Sequence, residues 1–218
     1  LRDSVLPDLQ SQLDNLAAQL RDKVNQIHNR STPFPGMQEM TGTRVFISSS
    51  TQTITVGGTS NNDDVAILLF DSSGNQSATT TLETIMRDTT MGDGADKGDT
   101  GPWTIDEVAA RVEDWLQANG AASAAVSVNS SGKFTVALNS TTLNLAFRDE
   151  TETTNGSTAE DVSIAFDSNA DGVTDQTFSG FSNFLGLNDF FVDDLAENIW
   201  ESNVLSTSYT TPGSSQTL

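Results

Sequence analysis

The sequence predicts an α+β fold: a long N-terminal helix, then short and mainly antiparallel strands that carry one further helix. Three observations predict it. Leucines recur every three or four residues near the N-terminus, Thr/Val/Ile-rich runs bounded by turn residues fill the middle of the chain, and one later segment opens on a helix-capping pattern followed by a hairpin pattern. A helix laid on an antiparallel sheet is the layering that such an order favours.

Residues 1–29 give the clearest element. Leu6, Leu9, Leu13, Leu16 and Leu20 alternate steps of three and four, and Val24 and Ile27 extend the stripe, the period of an amphipathic helix or a coiled-coil seam. Arg2, Asp3, Asp8, Asp14, Arg21 and Asp22 lie largely off it. Pro7 fits only near the start of a helix. At ~1.5 Å per residue such a helix runs ~40 Å, long for a small domain and suited to a rod. Pro33, Pro35 and Gly36 end it. Its Leu stripe is expected to be mostly core within this same chain.

Strands are expected at Arg44–Ile47, Thr53–Val56 and Asp64–Phe70, short β-branched runs between turn residues. Asp71-Ser72-Ser73-Gly74-Asn75 reads as a turn, Ser77–Ile85 as a resumed extended pattern, and the Gly- and Asp-rich residues 91–102 as a loop. Thr104 is the N-cap of the next helix, and Glu107 completes a capping box. Val108, Val112, Trp115 and Leu116 form its buried face, and Asn119-Gly120 stops it. A hairpin follows: Ala124–Asn129, the turn Ser130-Ser131-Gly132, then Lys133–Leu138. Leu143–Phe147 and Val162–Phe166 are further strands. Residues 178–200 are dense in apolar side chains, and the Ser/Thr-rich tail after Leu205 reads as a flexible terminus or linker.

Charge bears on partners. Lys and Arg number 10 against 30 Asp and Glu, a net charge of −20. Such a surface repels phosphate and the anionic face of a membrane, so neither nucleic acid nor membrane is expected as a partner. High net charge keeps subunits apart in solution. The hydrophobic fraction of 35% rises toward the globular share once the 16 Gly are added. There is no Cys, which removes disulfides, thiol nucleophiles and Cys-ligated zinc. No apolar run reaches the ~20 residues that span a bilayer. The chain opens at Leu1 inside a helical pattern, and the natural protein is expected to extend beyond it.

Few constellations invite chemistry. Asp167-Ser168-Asn169-Ala170-Asp171-Gly172-Val173-Thr174-Asp175 begins like a calcium loop, with oxygen ligands at positions one, three, five and nine and Gly at six. Position twelve is Phe178 where a bidentate Glu belongs. The plainer reading is a turn rich in Asp and Asn, and no metal ligand is assigned. Asp93, Asp96 and Asp99 read as a solvated loop rather than a weak cation site. His28, the sole histidine, is expected to interact with the terminal carbonyls of its helix. No Gly-x-Ser-x-Gly elbow surrounds any Ser, and Gly92-Asp93-Gly94 lacks the Lys-Ser/Thr end of a phosphate loop. No catalytic residue and no cofactor is expected.

Two segments carry a family resemblance. Leu1-Arg2-Asp3, Leu13-Asp14-Asn15-Leu16-Ala17 and Asn25-Gln26-Ile27-His28 match the opening, middle and close of a long helix, and Gly186-Leu187-Asn188-Asp189-Phe190-Phe191 matches a Gly-Leu-Asn-Asp-Phe-Phe segment. In these the chain resembles the first hook-associated proteins of the bacterial flagellum. Ala66–Thr81 and Trp103–Leu116 with the following hairpin are similar more loosely. The family's terminal helical segments have no counterpart here. The resemblance implies an extracellular structural subunit, not an enzyme, exported unfolded through the flagellar channel and met by an export chaperone. Its partners would be copies of itself in a ring-like junction, the hook protein and the neighbouring hook-associated protein. Residues 1–40 and 180–218 would form an inner rod-like domain and residues 41–179 an inserted outer α+β domain. The fragment itself is expected to be monomeric. The alternatives are another flagellar axial protein such as flagellin, a calcium-binding extracellular adhesin-like module and, third, a hydrolase using clustered carboxylates.

Overall fold

The computed structural model describes residues 2–29, 36–57, 63–150, 161–191, 208–211 and 214–217. In chain order the elements are α1 (Arg2–Asn29), β1 (Glu39–Val45), β2 (Thr53–Val56), β3 (Asp64–Asp71), β4 (Gln76–Thr81), α2 (Leu82–Arg87), β5 (Trp103–Thr104), α3 (Ile105–Ala118), β6 (Ala125–Val128), β7 (Lys133–Ala137), β8 (Leu143–Glu150), β9 (Ser163–Asp167), β10 (Gln176–Ser179), α4 (Phe181–Leu185), β11 (Ser208–Thr211) and β12 (Ser214–Thr217). The fold is mixed α and β, and every strand pairing among the described residues is antiparallel.

Three sheets share one apolar core: β4-β3-β8, β1-β7-β6 and β10-β9-β2-β5. Val65-Ala66-Ile67-Leu68-Leu69 of β3 are buried without alternation, the mark of a strand covered on both faces. The capping box of α3 forms as the sequence indicates: Glu107 N–H donates to Thr104 Oγ1 at 3.2 Å, and Thr104 N–H donates to Glu107 Oε2 at 2.9 Å. Ile105, Val108, Val112, Trp115 and Leu116 are buried beneath it, and α3 packs on β6 and α2. A second part of the core is aromatic. Phe46, Phe166 and Phe184 pack mutually with centroids 5.3–6.0 Å apart, at the edge-to-face and tilted angles that ring quadrupoles favour. α4 supplies Phe181, Phe184 and Leu185.

Several expectations need correction. Residues 77–85 are not extended throughout: Thr81 caps a helix by accepting from Thr84 N–H, and Leu82, Ile85 and Met86 are buried by α2. The first strand is Glu39–Val45, not 44–47, and contains Gly42. A Cβ there would overlap the Leu185 carbonyl oxygen, so close approach to α4 requires glycine. β10 pairs with β9 as a hairpin across 168–175. The largest correction concerns α1. It forms as predicted, but Leu6, Leu9, Leu13, Leu16, Leu20 and Ile27 are 57–64% exposed. Its stripe is not core, because none of the described residues covers it along most of its length.

Candidate functional site

Both acidic candidates are satisfied by the protein itself. At the β9–β10 turn, Asp167 Oδ1 accepts from Ala170 and Asp171 N–H, at 2.7 and 3.3 Å, and its Oδ2 from Gly172 N–H at 2.8 Å. Asp175 Oδ2 accepts from the Ser168 hydroxyl at 2.6 Å and Ser168 N–H at 2.8 Å. Those bonds, the Ser168 hydroxyl first, hold the Asp175 carboxyl below the usual carboxylate range. Asn169 Oδ1 and Asp171 Oδ1 accept from Asp171 and Val173 N–H. These oxygens tie a turn together rather than converging on one point. Among the described residues no group of three or more His, Asp or Glu is placed to hold a metal ion.

The Asp-rich loop is filled by the chain's own cations. Arg111, 1% exposed, donates to the carbonyls of Ile85, Asp88 and Ala95 and to Asp93 Oδ1. Lys97 Nζ bridges Asp93 Oδ2 at 2.6 Å and Glu107 Oε1 at 2.8 Å. Arg87 lies 3.9 Å from Asp96 and 3.5 Å from Asp99. The Lys97 hydrogen bond, then Ala95 N–H, lowers the Asp93 pKa, and the hydrogen bonds to Asp93 and then Glu107 raise that of Lys97. The stretch that reads as a solvated acidic loop is an ion-paired pad.

The densest polar meeting of distant segments lies where the end of α1 meets residues 186–191. Asn25 Nδ2 donates to the Phe191 carbonyl and Asn25 Oδ1 accepts from Phe191 N–H, both at 2.8 Å, so one carboxamide pairs with one residue's backbone as a strand neighbour does. His28 Nδ1 is 2.7 Å from the Asn188 carbonyl and its ring tilts against Phe190. It contacts this segment, not the terminal carbonyls of its helix. Asn29 Nδ2 donates to Asp189 Oδ1 at 2.8 Å, and the Thr43 hydroxyl donates to Asp189 Oδ2 at 2.6 Å. Arg44, in the same strand as Thr43, lies over the Phe178 and Phe184 rings at 4.0 and 4.8 Å and donates to the Phe184 carbonyl. Burial lowers its pKa, and the charge of Asp189 opposes that shift. Gly186 takes a left-handed φ of 67° at the C-cap of α4, where a Cβ would overlap Thr43 Oγ1. That turn aims the segment at α1.

Beside this seam the surface is apolar. Val24, Ile27, His28 and Phe190 line an open cavity of about 360 Å³. Phe190 and Phe191 are 62% and 46% exposed, and Phe190 lines this cavity beside Ile27 of the exposed α1 stripe. No helix among the described residues is long and apolar enough to cross a membrane.

No family model, curated protein or solved structure matches the chain.

Two of the seam's residue sets stand in the sequence motifs: Asn25 and His28 on the helix side, and Asn188 to Phe191 on the other. Thr43, Arg44 and Asn29 carry no local signal, since the roles of the first two arise only when β1 is brought beneath α4, and that of Asn29 only when α1 meets Asp189. The seam is built for docking one part of a chain on another.

Proposed function

We propose that the chain is a structural subunit of the bacterial flagellum, extracellular and without catalytic activity, that forms the junction between hook and filament. One observation supports this reading above others: the two segments that carry the family resemblance, the helix close and Gly-Leu-Asn-Asp-Phe-Phe, are the two that meet in the hydrogen-bonded seam. On this reading residues 1–40 and 180–218 belong to an inner rod-like domain and residues 41–179 to an outer insertion. Copies of the chain form a ring, with the hook protein on one side and the next hook-associated protein on the other. An export chaperone accompanies the unfolded chain, which has no Cys to cross-link in transit. The exposed Leu ridge suits axial packing, and the acidic β body suits a solvent-facing surface. Deleting the gene tests the reading. Cells are expected to keep intact hooks while shedding flagellin into the medium. Normal filaments on the deletion strain would sink it.

A further inference from the structure

We infer that Asn25, Asn29 and Asp189 form a polar clasp that fixes the direction in which α1 leaves the β body, and that the helix undocks as a rigid arm when the clasp opens. The inference does not depend on the flagellar reading. Among the described residues of the helix, those that are buried are Asn25 and Asn29, each 6% exposed. Val24 and His28 are half-buried, and the leucines are exposed. A helix docked through apolar side chains resists release in proportion to the area it hides. This helix hides little, so its docking depends on hydrogen bonds. Such bonds are directional and tolerate little misalignment, so the closed clasp defines one orientation.

The geometry suits that role. Asn25, Asn29 and His28 are spaced by three and four residues and share one face of the last turns of α1. The first grips the backbone of Phe191, and the second grips Asp189. Asp189 is the link between arm and body, because its other oxygen is held by Thr43 of β1. Gln26 adds a contact to Asp161 at 2.8 Å. The hold is also incomplete: Asn29 Oδ1 is buried and accepts no hydrogen bond from any of the described residues. Opening the clasp returns that oxygen to water, which favours release. The body's own apolar cluster spans Met40 to Leu187 and takes nothing from α1, so it stands with the arm docked or free.

The chain has no Cys, so spin labels can be placed at will. Labels at Asp14→Cys on the arm and Ser131→Cys on the β6–β7 turn would report one narrow distance population in the parent chain. Asn25→Ala combined with Asn29→Ala changes only the helix side and is expected to broaden that population several-fold. The near-UV dichroism of buried Trp103 and Trp115 is expected to stay as in the parent. Asn29→Asp sets a carboxylate against Asp189 while leaving the Phe191 pair intact, and is expected to broaden it less. A broad population in the parent, or a narrow one in the double variant, would overturn the proposal. Loss of the near-UV signal in the variants would overturn it too, since a joint requires a body that folds without it.

Discussion

Gly42 and Gly172 show how much a single missing Cβ decides. A Cβ at Gly42 meets the carbonyl oxygen of Leu185, whereas one at Gly172 meets nothing within 4 Å. Backbone cannot swing aside as a side-chain tip can, so Gly42→Ala has to push α4 off β1. We expect it to cost at least about 2 kcal/mol, within the range for overpacking a tight interior. Gly172→Ala carries only the strain of its left-handed φ of 84°, about 1 kcal/mol. Urea unfolding of both variants checks the ranking. Charge gives a second prediction at this scale. Asp93 is held below the ordinary carboxylate range chiefly by Lys97. A group whose folded pKa is depressed stabilises the fold above its unfolded value of about 3.9 and loses that contribution as pH falls through the lower folded value. Lys97 is shifted up, so its share persists below about pH 10 and fades above it. Stability relative to Asp93→Asn should therefore be constant from pH 5 to 8 and shrink below pH 4, as read from urea midpoints across pH.

Among the elements, α1 and α3 are helices for different reasons, and they should respond differently to mutation. α3 buries Val112 completely, while Leu13 on α1 is 64% exposed. Val112→Ala is expected to destabilise by about 2 kcal/mol through lost burial and the cavity left behind. Leu13→Gln is expected to stay within about 0.5 kcal/mol, the range of ordinary surface changes. Calorimetry of the two variants separates the cases. The contrast also marks what the sequence could convey. α3 was legible because its cap, its apolar face and its stop are all local, and β3 because a short β-branched run stands between turn residues. α2 was not, because Thr79-Thr80-Thr81 favours strand and the cap at Thr81 competes within a few residues. The Leu stripe announced a helix, but periodicity does not say whether anything lies against it. At the seam, Asn25 and His28 could be noticed in the motif, whereas Thr43 and Asp189 meet across 146 positions, a separation that no local pattern encodes.

For the whole molecule the dominant fact is a net charge of −20. Self-repulsion of that size opposes compactness. Raising NaCl from 10 to 150 mM shortens the screening length from about 30 to about 8 Å, and the melting temperature is expected to rise. Calcium at matched ionic strength should raise it no further, because the Asp167 and Asp175 oxygens already hold the N–H groups of their own turn. A larger shift with calcium than with sodium would reopen the metal reading. The ion-paired pad at 88–99 has one more effect. Gly- and Asp-rich loops are where proteases usually enter a folded chain, and trypsin must draw a basic side chain out into its own pocket. The basic residue that this loop offers, Lys97, has its ammonium engaged by Asp93 and Glu107 and only 19% of its side chain accessible. The segment that looks most open to digestion thus has its cleavage handle turned inward.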